Sequence, residues 1–84
     1  MSKQIKCRNR GSAGFYAPNG EHFTLPAQSY LLINEEDLTP ERTMNGGGFV
    51  VTRDKAYHPD SGATSTQTIW VDIIDPDYQR PAAN

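Results

Sequence analysis

Cys7, His22, Asp54, His58 and Asp60 are the side chains whose types and spacing come nearest to chemistry. Asp54, His58 and Asp60 offer oxygen and nitrogen ligands close together, and His22 would add a further nitrogen. A lone His-x-Asp in a polar stretch nevertheless matches no closed zinc site. Cys7 beside a histidine is the beginning of a thiol nucleophile, but no orienting third group or oxyanion donor accompanies it, so a buried, inert cysteine on a strand is expected. Gly46, Gly47 and Gly48 invite a phosphate-loop reading. That loop requires Lys-Ser/Thr and a helix after its glycines, whereas Phe49, Val50 and Val51 follow here. Glu35, Glu36 and Asp37 are consecutive, so they diverge around a turn instead of facing one bond from two sides. No catalytic residue, cofactor or metal is assigned, and the chain reads as non-enzymatic.

The elements that must carry these residues are short strands. Residues 3–9 alternate Ile5 and Cys7 with Gln4, Lys6 and Arg8, the period-two pattern of a strand with one apolar and one basic face, and its charges suit a sheet edge. Phe15 to Ala17 and residues 21–25 flank Pro18-Asn19-Gly20, a hairpin signal in which Asn-Gly supplies positive φ. Pro26 should break the ladder. Tyr30, Leu31, Leu32 and Ile33 follow without alternation, as in a strand covered on both faces. Thr39-Pro40-Glu41 has the form of an N-cap followed by Pro at N1, which predicts one helical turn over residues 40–44. Residues 49–53 resume as a strand. Residues 54–65 read as a polar connection long enough to extend over a neighbour. The last strand spans residues 66–74, with Ile69, Val71 and Ile73 on one face and Trp70, Asp72 and Ile74 on the other; Trp70 is expected in the core. Beyond Pro76 the periodicity ends, and only Tyr78 offers the tail an anchor.

Eighty-four residues make one domain, and 36% hydrophobic content with seven Gly and six Pro leaves a thin core. Chains of this kind gain stability by oligomerising or docking. The single cysteine excludes an intrachain disulfide framework and fits reducing surroundings. No apolar run approaches the roughly 18 residues of a membrane span, and the basic start lacks the apolar region of a signal peptide. Net charge is −2, which argues against a partner held by a large basic field. The charge is uneven: Lys3, Lys6, Arg8 and Arg10 crowd the start, while acids gather at Glu35, Glu36 and Asp37 and again at Asp72, Asp75 and Asp77. Such asymmetry suits head-to-tail contact between copies. Phe15, Tyr16, Phe23, Tyr57 and Trp70 on a β-barrel could stack the bases of single-stranded nucleic acid, but a minimal core needs the same five aromatics, and the acidic balance disfavours that ligand.

The expected fold is all-β, a small antiparallel sandwich or open barrel of five or six short strands with one short helical turn and extended termini, residues 1–75 forming the domain and 76–84 a tail. Short strands, Pro-bounded arms and the triple-glycine stretch without a site resemble the small β-structured virion proteins of tailed bacteriophages, of the decoration, cement or head-to-tail joining type. The resemblance implies a virion protein made in the host cytoplasm, binding subunits of a capsid or neck, homo-oligomeric, with no membrane partner. The contact residues expected on the residue reading are Lys3, Lys6, Arg8, Arg10, Glu35, Glu36, Asp37, Tyr57, His58, Tyr78 and Arg80. A function of another class, an inhibitor binding a host or defence protein through its acids, is carried beside it.

Overall fold

The computed structural model describes residues 3–41 and 48–78. Among the described residues nine strands run in chain order: β1 (Gln4–Asn9), β2 (Ala13–Tyr16), β3 (His22–Leu25), β4 (Tyr30–Asn34), β5 (Thr39–Glu41), β6 (Gly48–Val51), β7 (Ala56–His58), β8 (Ala63–Ser65) and β9 (Ile69–Ile73). They form one antiparallel sheet in the order β3-β2-β8-β7-β4-β1-β9-β6-β5. Alternate residues of the strands are buried, and those from both ends of the sheet, Phe15 and Leu25 from β2 and β3 with Phe49 and Val51 from β6, join a single cluster. The sheet is therefore folded over its own buried face, as an all-β sandwich with open edges. Its shortest dimension, 18 Å, suits two layers about 10 Å apart.

The step from β1 to β2 makes the fold. Arg10, Gly11 and Ser12 are all that separate the two strands in sequence, yet β8, β7 and β4 lie between them in the sheet. The chain thus passes from one layer to the other across the end of the core. Asn9 secures that crossing. It is wholly buried; its Nδ2 donates to the carbonyls of Gly11 (2.8 Å) and Pro26 (3.1 Å), and its Oδ1 accepts from the Ser29 N–H (2.7 Å). The Gln28 N–H donates to the Asn9 carbonyl at 2.8 Å, with Gln28 at φ +69°. The link between β3 and β4 is thereby pinned onto the end of β1.

Several expectations change here. Strand β1 is no edge: it lies between β4 and β9. Its charged face survives there because one layer's outer side remains open to water. Thr39, Pro40 and Glu41 form strand β5, paired with β6, not the start of a helical turn; Pro40 is accommodated because an edge strand leaves one side without ladder bonds. The rest of the predicted turn lies outside the described residues. A 3-10 turn forms instead at Glu35–Asp37, with no side-chain cap from Asn34. Residues 54–65, expected as a free connection, contain the hairpin β7–β8, held between β2 and β4. Three-residue strands built on Ala56, Ala63 and Ser65 carry too little apolar contrast to show a period. Strand β4 buries Leu31 and Ile33 but leaves Tyr30 and Leu32 half-buried, so it alternates after all. The 15–25 hairpin forms as expected: the Gly20 N–H donates to the Ala17 carbonyl (2.8 Å) and the Ala17 N–H to that of Glu21 (2.9 Å). Only Gly20, at φ +90°, takes the left-handed conformation there.

Candidate functional site

The outer sheet face holds what the core does not use. Trp70, expected inside, lies half-buried on that face, because period two places it opposite to Ile69 and Val71, which fill the core. Small residues occupy much of the interior: Cys7, Ala13, Ala56, Ala63 and Ser65 are all buried. Meanwhile Tyr16, Tyr57 and Ile74 are 38%, 39% and 40% exposed. Cross-strand register aligns these with one another. His22 opposes Tyr16, Tyr16 opposes Thr64, Thr64 opposes Tyr57, Tyr57 opposes Leu32 and Leu32 opposes Lys6; the Ile74 N–H then donates to the Lys6 carbonyl at 2.9 Å. The Cβ atoms of directly opposed residues stand about 5 Å apart, close enough for their side chains to interact. The row is thus continuous from β3 to the end of β9.

Two shorter rows run beside it over the central strands. Arg8 stands between Tyr30 of β4 and Asp72 of β9, and its Nη1 donates to the Gln28 carbonyl at 2.8 Å. Arg10 continues the same face. Its Nε donates to Asp72 Oδ1 at 2.8 Å, and its guanidinium lies 6.0 Å from the Trp70 ring, within cation–π range. Gly48 makes room for it, since a Cβ there would meet the Arg10 guanidinium at 2.8 Å. The resulting patch on β7, β4, β1, β9 and β6 combines Tyr57, Leu32, Ile74, Tyr30 and Trp70 with Lys6, Arg8 and Arg10. Of the five aromatics weighed as core or base-stacking residues, Phe15 is buried and Phe23 packs partly against the core, whereas Tyr16, Tyr57 and Trp70 face outward.

The acids gather elsewhere. The Glu35 N–H donates to the Lys3 carbonyl at 2.8 Å, which sets the Glu35–Asp37 turn beside the start of β1. On the other flank the Lys6 N–H reaches Asp75 Oδ2 at 3.3 Å. The Asp77 N–H donates to Asp75 Oδ1 at 2.9 Å, and this bond, with the Lys6 N–H and the charges of Lys6 and Lys3, holds the Asp75 carboxyl below its ordinary range. One end of the sheet therefore carries Glu35, Glu36, Asp37, Asp75 and Asp77 around Lys3. Asp72, grouped with them in sequence, stands apart, bonded to Arg10.

The chemical candidates are dispersed. Cys7 is buried with its thiol directed to the Ile5 carbonyl at 3.5 Å; burial, with Asp75 and Asp72 adding to it, pushes that thiol up to about 12. His58 is half-buried within its own turn, Nδ1 2.7 Å from Ser61 Oγ and Nε2 3.9 Å from Asp60. His22 stacks on Tyr16 with ring centroids 4.9 Å apart. Among the described residues no three His, Cys, Asp or Glu side chains are grouped to hold a metal ion. Tyr78 packs edge-on against Phe49 at 6.1 Å and anchors the segment after β9. Arg80, like Gly46 and Gly47, lies outside the described residues.

Sequence reasoning missed Asn9, whose only signal was a polar residue at an inward position of an alternating strand. No protein-family model, curated protein or solved structure matches the chain.

Proposed function

We propose that this chain is a non-enzymatic assembly protein of a bacteriophage particle, which binds capsid or neck subunits and stabilises the assembly. The observation that carries the reading is the distribution of large side chains. A chain with little apolar material gives interior positions to Ala13, Ala56, Ala63, Cys7 and Ser65 beside its larger core residues, while Tyr16, Tyr57, Ile74 and the half-buried Trp70 lie on the outer face. Aromatic anchors beside arginine are the composition of protein contact surfaces. The phage context rests on the resemblance to small β-structured virion proteins. Tagged protein added to a phage lysate and separated on a density gradient tests it. Co-sedimentation with particles in many copies is the expected result, and absence from every particle fraction contradicts it.

The acidic end supports a second reading, an inhibitor of a host or defence protein. Two acidic runs distant in sequence converge on the start of β1, giving a compact surface complementary to a basic partner. A discrete soluble complex with a host protein, and none with particles, is its signature.

A further inference from the structure

We infer that the basic and aromatic outer face of β4, β1 and β9 docks the acidic end of a second copy of this chain, so that copies join head to tail. This inference rests on the assembly reading and names one of its contacts. Both halves of the contact are present on one molecule. Arg8 makes no ion pair among the described residues, and neither do Glu35, Asp37 and Asp77 at the acidic end, whereas the Lys6 charge already acts on Asp75 of its own molecule. A molecule cannot lay its own acidic turn onto its own Arg8. That turn is tied to Lys3 by a 2.8 Å backbone bond, and the five steps from Lys3 to Arg8 span about 17 Å of extended strand. The Arg8 charge therefore meets a carboxylate of that turn only when a second copy supplies it. Tyr57 and Leu32 on one side of Lys6 and Ile74 on the other supply the apolar contact that charge alone lacks. The two surfaces differ, so the contact is heterologous and propagates into a ring or a filament, not a closed two-fold dimer.

Sedimentation velocity over a concentration series tests this with two charge-reversed proteins, one carrying Lys6→Glu and Arg8→Glu and the other Glu35→Lys and Asp77→Lys. The wild type is expected to grow beyond a dimer with concentration and to dissociate as salt rises from about 50 mM to about 500 mM, where the screening length shrinks to a few ångströms. Each variant alone should associate about tenfold more weakly or worse, and an equimolar mixture of the two should recover association. Lys6→Glu alone leaves the Arg8–Gln28 bond in place and should weaken association in the same direction, which covers a double variant that fails to fold. A wild type that stays monomeric, stops at a dimer, or associates as strongly after charge reversal overturns the inference. So does association that requires added oligothymidylate. Co-sedimentation of a monomeric wild type with particles overturns this contact while leaving the assembly reading intact; failure of both removes that reading as well.

Discussion

Asn9 is the residue on which the layer crossing depends. Its side chain makes three hydrogen bonds to backbone groups of residues 11, 26 and 29, all at a fully buried position. At about 0.5–1.5 kcal/mol per net bond, Asn9→Ala should cost roughly 2–4 kcal/mol in urea unfolding. Asn9→Asp should be worse, because a carboxylate cannot donate to the two carbonyls that the amide now serves. Cys7 permits a prediction about pH. A thiol with an ordinary value of 9.0 in the unfolded chain and about 12 in the fold contributes stability that is present below 9 and lost as pH rises toward 12. The melting temperature should fall across that window, and Cys7→Ala should flatten part of the fall. A thiol reagent at neutral pH should label Cys7 only after denaturation. Alternation had already placed Cys7 inward; the three-bond role of Asn9 was not legible, because Pro26 and Ser29, two of its three partners, lie on a segment that sequence alone does not bring near.

Among the elements, the β2–β3 hairpin was the most legible. Its signal is local: Pro18, Asn19 and Gly20 specify the turn without help from the rest of the chain. Gly20→Ala should cost about 1–2 kcal/mol because a Cβ is strained at φ +90°, measured as a lower urea midpoint with unchanged slope. Strands β5, β7 and β8 were not legible. Each has three residues, and each exists because a longer neighbour supplies its ladder. In isolation Thr39-Pro40-Glu41 has a helix-start pattern; against β6 it extends as an edge strand, since tertiary pairing outweighs a weak local preference. The acids Glu35, Glu36 and Asp37 do diverge around a turn, and its backbone is a single 3-10 turn.

For the whole molecule, core and outer face should respond differently to truncation. Phe15→Ala removes a wholly buried ring and should cost about 3–5 kcal/mol. Trp70→Ala should cost less in unfolding experiments, because one side of its ring contacts water and Arg10; if the two losses are equal, Trp70 is a core residue in solution. The sequence by itself determined an all-β domain, the two-faced alternation of β1 and β9, the first hairpin and the separation of charge along the chain. These follow from period two, from turn residues and from composition, all of which act between near neighbours. Tertiary structure alone decided that nine strands form one folded-over sheet, that β1 lies inside it, and that acids from residues 35–37 and 75–77 share an end. It also decided that Trp70 remains outside. Long-range pairing sets these features, and which of two faces is buried depends on the strands that close over it, information that no single strand contains.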